Sequence, residues 1–161
     1  MTYHERLSAP LGWWIGALCF SLTFGWLMYV AATPLIAALF AAAAMLVAGG
    51  LVAAYGSLRI AVDDELRAGR AHLEGRFIGA VEVLDPAAYR ATMGPRADVR
   101  AWLVTRPWIV EGVKVVLDDA SDPVPYWLLG SRHPDQLAAA VEALRQTGRQ
   151  AATGGATPKG A

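Results

Sequence analysis

Four residues in the second half of the chain combine aromatic surface with a guanidinium group: Trp102, Arg106, Trp108 and Trp127. Tryptophan and arginine are enriched at binding hot spots because they offer a large contact area with a polar handle. Arginine can also hold a phosphate or carboxylate through two parallel hydrogen bonds. We therefore predict a binding surface. The alternative is that the tryptophans fill a small barrel while Arg106 pairs with an acid such as Asp118.

A second candidate site is Arg132 with His133, directly before a predicted helix. Backbone N–H groups at a helix start, together with Arg132, could hold an anion. The alternative is a local helix cap. His133 as a catalytic base would need a nucleophile and an orienting partner, and Ser131 beside it on a strand end does not supply that arrangement. We expect no catalytic residue and no enzymatic activity.

The pattern of ligand-type residues indicates neither a metal nor a cofactor. The three histidines, His4, His72 and His133, are widely separated, and the single cysteine, Cys19, lies in an apolar stretch. The acidic turns at 63–65 and 118–119 lack the longer pattern of a calcium loop. No glycine-rich phosphate loop is present.

The charges argue against nucleic acid as a partner. Lys+Arg number 14 and Asp+Glu number 14, whereas proteins that bind nucleic acid concentrate excess positive charge to neutralise phosphates. These charges lie almost wholly after residue 58, because the stretch Leu7–Leu58 contains no Asp, Glu, Lys, Arg or His.

That uncharged stretch predicts a membrane hairpin over 11–56. A bilayer needs roughly 20 apolar residues per helical span, which leaves room for two spans, at Leu11–Ala31 and Leu35–Tyr55. Pro34 suits the first position of the second helix. Gly12 and Gly16 offer a small-residue face, either for packing against the second span or for an additional contact with another protein or copy. The alternative is a signal peptide cleaved after Ala32, but the apolar stretch before that site is longer than usual.

Flanking arginines predict the orientation of the hairpin. Arg6 precedes the first span, the connection near Thr33 has no Lys or Arg, and four arginines follow the second span: Arg59, Arg67, Arg70 and Arg76. Cytoplasmic flanks carry excess Lys and Arg. We therefore expect a multi-pass protein of the plasma membrane with both termini in the cytoplasm, of which 1–10 form the N-terminal segment.

The remaining chain predicts a small, mainly-β domain over 57–147. Apolar residues alternate from Leu58 onward in seven short strands, in an antiparallel barrel or sandwich. Asp85 and Pro86 begin a short helix. Pro134 begins a final helix whose stripe of Leu137, Val141 and Leu144 covers an open barrel end, and Gly148 ends it. Residues 148–161 lack large apolar side chains, and we expect a disordered tail.

Several motifs resemble the actinobacterial membrane-protein family catalogued as domain of unknown function 3093. They are Tyr3-His4-Glu5-Arg6-Leu7, Val62-Asp63-Asp64, Thr105-Arg106-Pro107-Trp108, Asp122-Pro123-Val124-Pro125-Tyr126-Trp127-Leu128 and Ser131-Arg132-His133-Pro134. The resemblance covers residues 3–147 and implies the architecture above without an activity. In element order, the soluble part also resembles a bacterial pleckstrin-homology-like domain: a strand hairpin after the spans, and a last strand that leads into a helix.

Two functions from different classes remain open at this point. One is a non-enzymatic module, held at the membrane, that docks an unidentified membrane or cytoplasmic protein on the Trp/Arg surface, with Arg132 as a further binding residue. The other is a module that binds anionic lipid headgroups through a set of arginines. That set is Arg59, Arg67, Arg70, Arg76 and Arg106.

Overall fold

The computed structural model describes residues 2–119 and 121–154, the last three of these as backbone only. The chain forms two compact units, Met1–Glu5 with Arg59–Ala161, and Arg6–Leu58. The first unit contains the strands, and the second contains two long helices.

The two helices of the second unit form where the sequence predicted them. Helix α1 covers Leu11–Ala31 and helix α2 covers Pro34–Tyr55, with Pro34 in its first turn. The side chains buried between them are small, whereas large apolar side chains such as Val30 and Leu46 are 74% and 77% exposed. The buried residues are Ala17, Ser21, Gly25, Ala37 and Gly49.

The closest approach of the two helices is at Gly25. A Cβ atom on Gly25 would lie 2.8 Å from the Cβ of Ala41, so only glycine allows this packing. The prediction that Gly12 and Gly16 pack against the second span is wrong. Among the described residues, no atom lies within 4 Å of a Cβ placed on either glycine. The small residues of α1 that face α2 instead recur every fourth position from Ala17.

The first sheet has four strands in the order β1-β2-β3-β4. Strand β1 is Tyr3–Arg6, β2 is Arg59–Val62, β3 is Glu65–Ala68 and β4 is Ala71–Glu74. The three strands after the helices were predicted. Strand β1 was not, since 1–10 was assigned only as an N-terminal segment. Its neighbour in the sheet, β2, lies more than fifty residues later in the chain, and no local pattern reports such a pairing.

The second sheet also has four strands, in the order β5-β7-β8-β6. Strand β5 is Ile78–Leu84, β6 is Trp102–Val104, β7 is Gly112–Leu117 and β8 is Tyr126–Gly130. The prediction of a wholly antiparallel arrangement is wrong for one pair, because β6 and β8 run parallel. The connection from β5 to β6 carries the chain to the far edge of the sheet. There β6 follows the direction of β8, whose residues are all buried.

Helix α3 covers Pro86–Met93 and begins as predicted, with the carboxylate of Asp85 accepting hydrogen bonds from two backbone N–H groups of the first turn. Its Tyr89 is fully buried against the cross-strand pair Gly112 and Gly130. A Cβ atom on Gly130 would lie 2.7 Å from the Tyr89 hydroxyl oxygen. Glycine at this position therefore makes room for the tyrosine ring.

Helix α4 covers Pro134–Gly154, and its predicted stripe of Leu137, Val141 and Leu144 is buried against strands of both sheets. The prediction that Gly148 ends the helix is wrong. A Cβ on Gly148 would lie 2.5 Å from the Arg76 backbone nitrogen. The glycine therefore permits close packing of α4 on the 3₁₀ turn Gly75–Phe77, and the helix continues beyond it to Gly154. The prediction of a disordered tail over 148–161 is wrong for 148–154, which belong to α4, and 155–161 lie outside the described residues.

Candidate functional site

The structure brings two of the predicted binding residues together. Trp102 and Trp127 are register partners in the parallel pair of β6 and β8, and their ring centroids lie 6.4 Å apart at 44°. Trp127 is buried, whereas Trp102 is 41% exposed and its neighbour Leu103 is 46% exposed. Strand β6 is an edge strand, and the exposed Trp102 ring contacts the buried ring of Trp127.

Arg106 and Trp108 lie in the loop between β6 and β7, and both are half-buried. One terminal nitrogen of Arg106, Nη1, donates a hydrogen bond of 2.8 Å to the carbonyl oxygen of Thr105. Asp118, the acid considered as its partner, lies 3.9 Å from the guanidinium of Arg149. The same loop is held by Ile109, whose side chain is buried against Gly130. Along the chain, Arg106 and Trp108 follow the edge strand that carries Trp102.

Arg132 belongs to a different cluster, centred on the carboxylate of Glu5. The backbone N–H of Arg132 donates to Glu5 Oε1 at 2.9 Å, and the Ser131 hydroxyl donates to Oε2 at 2.6 Å. The Tyr3 hydroxyl also donates to Oε2, at 2.7 Å. Ser131 Oγ in turn accepts the backbone N–H of His133 at 3.0 Å. These residues form what we call the Glu5 clamp, which ties β1 to the start of α4.

The Glu5 clamp fills the position for which an external anion or a local helix cap was considered. A carboxylate at a helix N-terminus is stabilised by the free N–H groups and by the helix dipole. Here that carboxylate is the chain's own. Ser131 is fully buried, and His133 contributes its backbone N–H to the cluster. Burial, the dominant cause, together with the nearby Glu5 carboxylate, raises the pKa of Tyr3 to about 12. These contacts fit a structural clamp.

Sequence reasoning missed Tyr3 and Glu5. The available signal was the spacing of Tyr3 and Glu5 two residues apart, which places both side chains on one face of a strand and His4 on the other. The motifs at 3–7 and 131–134 were both noted, but their contact spans more than 120 positions of the chain. Only the fold shows that they meet.

The arginine set of the lipid alternative is partly neutralised. The guanidinium Nε of Arg76 lies 2.9 Å from Glu74, and that of Arg67 lies 3.7 Å from Glu65. Each of these two cations thus has an acid beside it on the first sheet. Attraction of this sheet to an anionic surface is correspondingly weakened.

Comparison with known proteins gives one match. The model of a family described as "Protein of unknown function (DUF3093)" matches residues 2–141, which include β1, both long helices, both sheets and the first turns of α4. No curated protein and no solved structure matches the chain. Within the described residues, no three His, Cys, Asp or Glu side chains come together as metal ligands would. The match spans most of the sequence, and the chain therefore belongs to the DUF3093 family of proteins of unknown function.

Proposed function

We propose that this is an integral membrane protein whose two-helix hairpin spans the plasma membrane and holds the strand-rich domain at the cytoplasmic face. The observation that carries this proposal is that β1 and β2, which flank the hairpin in sequence, are neighbours in one sheet. Two strands of one sheet must lie on the same side of the bilayer. A hairpin that crosses the bilayer twice places both of its flanks on one side and so meets this requirement. The flanking arginines favour the cytoplasm.

The surface of the hairpin supports insertion. Both helices are long and apolar enough to cross a membrane. Their large apolar side chains point outward while small ones pack inside, an arrangement that lipid stabilises and water does not. Alkaline carbonate treatment of membranes provides the test. The protein should stay in the membrane pellet, and release into the supernatant would refute insertion.

We also propose that the domain is a variant of the pleckstrin-homology-like fold. Two sheets closed by a C-terminal helix with a buried apolar stripe support this proposal. The domain departs from that pattern in two ways. Its strand β1 comes from before the hairpin, and its strand β6 runs parallel to β8.

The domain acts, in this proposal, as a non-enzymatic docking module for another protein. The docking surface is the outer edge of β6, beside which the described residues place no further strand, with Trp102 and Leu103, followed by the loop of Arg106 and Trp108. An unpaired strand edge presents a row of backbone donors and acceptors, so its natural partner is an extended segment that adds a strand. The exposed ring of Trp102 offers contact area, and Arg106 suits an acidic group on the partner.

Site-specific photo-crosslinking in intact cells tests this surface. A photoreactive amino acid at position 102 should give one discrete protein adduct, and Leu103→Asp should abolish it. The matched control is position 83, since Val83 is 44% exposed on β5, the opposite edge strand of the same sheet. The same adduct from both positions, or no protein adduct at 102, would contradict docking at β6.

A further inference from the structure

The edge strand β6 differs from the other sheet edges in its charge. Strand β6, Trp102–Val104, contains no charged residue. The other three edge strands of the two sheets, β1, β4 and β5, each carry a glutamate. Charges on an edge strand hinder its pairing with other chains. Among the strands that the structure describes, β6 is therefore the edge least protected against the addition of another strand.

The sheet beside β6 is covered on both of its faces. All five residues of its neighbour β8 are buried. On one face, Leu128 belongs to a buried cluster with Tyr89 of α3. Trp127 and Leu129 lie on the other face, because successive side chains of a strand alternate, and both are buried as well. A strand that is covered on both faces is typically a continuous apolar run without alternation, and the uncharged sequence of β8 has this character.

Strand β6 continues both of these faces to the edge of the sheet. Leu103 is the register partner of Leu128, and Trp102 is the register partner of Trp127. Leu103 therefore lies on the face that α3 covers, and Trp102 lies on the opposite face. Both side chains are exposed. Apolar surface is thus open on each face of the sheet at the same edge, and a strand added there would meet it on both sides.

We infer that the segment which docks at β6 is apolar on both of its faces: an extended run of three consecutive apolar residues, not a strand that alternates apolar and polar residues. This inference rests on the proposed docking surface and specifies its partner. Each central residue of the added strand would lie on the face of either Leu103 or Trp102. A polar side chain at any of these positions would be buried against apolar surface, which is unfavourable without a hydrogen-bond partner.

A bilayer and a second copy of this chain fit this edge less well. Lipid acyl chains cannot supply the hydrogen-bond donors and acceptors that an unpaired strand edge requires. Antiparallel pairing of two β6 strands centred on Leu103 would align Arg106 of one copy with Arg100 of the other. Like charges directly opposite each other are destabilising. A segment of a different protein can instead carry an acidic residue next to Arg106.

Binding of designed peptides to the full-length protein in nanodiscs tests this inference. One fluorescent peptide has three consecutive β-branched apolar residues at its centre, flanked by serines and one aspartate. A second peptide has the same composition, with the apolar residues and serines in alternation. We expect the first peptide to bind severalfold more tightly by fluorescence anisotropy, with empty nanodiscs as the background. N-methylation of its central peptide bonds should abolish binding, because strand addition depends on main-chain hydrogen bonds.

Leu103→Asp should also abolish binding of the first peptide. Val83→Asp is the matched control, because it places the same charge at an exposed position on the opposite edge strand of the same sheet. Equal or tighter binding of the alternating peptide would overturn the inference and leave docking at β6 standing. Binding of neither peptide would also overturn it, while photo-crosslinking at position 102 decides the docking surface separately. Self-association of the protein that Leu103→Asp abolishes would assign the edge to a second copy and overturn the inference.

Discussion

Glu5→Ala should open the junction between β1 and α4. The carboxylate accepts three hydrogen bonds, from Tyr3, Ser131 and Arg132. Hydrogen bonds to a charged group contribute about 1.5–3 kcal/mol each, but contacts that share one acceptor are not additive. Ser131 Oγ also keeps its contacts with Tyr3 and with the His133 N–H. Since Glu5 is only half-buried, we expect a loss of about 2 kcal/mol.

Hydrogen–deuterium exchange of the full-length protein in nanodiscs measures this local opening. A loss of 2 kcal/mol corresponds to roughly 30-fold faster exchange, since about 1.4 kcal/mol is a factor of ten. The acceleration should be confined to β1, β2 and the first turn of α4. Glu5→Gln keeps one acceptor oxygen and should give a smaller acceleration.

His4→Ala is the matched control for the Glu5 clamp. His4 lies on the same strand, but its side chain is 65% exposed where it meets Asp63. A surface contact of this kind contributes at most about 1 kcal/mol. Unchanged exchange at residues 131–137 in Glu5→Ala, or an equal effect in His4→Ala, would refute the reasoning.

Three other changes test the packing. Tyr89→Phe should stabilise the domain by about 1 kcal/mol, measured by thermal unfolding, because the buried hydroxyl has no hydrogen-bond partner among the described residues. Burial raises the pKa of Tyr89 to about 12 from 10.0. Because the tyrosine ionises more easily in the unfolded chain, the free energy of unfolding should be unaffected by this group below pH 10 and should fall as the pH rises toward 12. Tyr89→Phe should lose less stability over that range. Gly148→Ala should destabilise the contact of α4 with the 3₁₀ turn by about 1–3 kcal/mol, seen as faster exchange at 75–77. Gly25→Ala should weaken helix pairing in the hairpin, whereas Gly16→Ala should leave it unchanged, as judged by thermal stability in detergent.

Local sequence patterns were sufficient for most elements of the fold. Alternation identified the strands after residue 58, and Asp85 with Pro86 marked the start of α3, because these signals depend on neighbours in the chain. The end of α4 was missed because Gly148 allows close contact with the 3₁₀ turn and does not end the helix.

The pairing of distant segments could not be obtained from one sequence. The parallel pairing of β6 with β8 and the entry of β1 into the first sheet both join segments far apart in the chain. The same limit applies to the candidate site. Trp102 and Trp127 were named but their ring contact was not, and the Glu5 carboxylate that accepts the Arg132 N–H was not connected to Arg132.

Labelling of single cysteines in intact cells tests the membrane topology most directly. On a Cys19→Ala background, cysteines at Thr2, Thr33 and Ser121 are treated with a membrane-impermeant maleimide. Position 33, in the turn between the two helices, should react from outside, while positions 2 and 121 should react only after lysis. Reaction of position 2 or 121 in intact cells, or protection of position 33 until lysis, would contradict a hairpin that spans the membrane with both flanks in the cytoplasm.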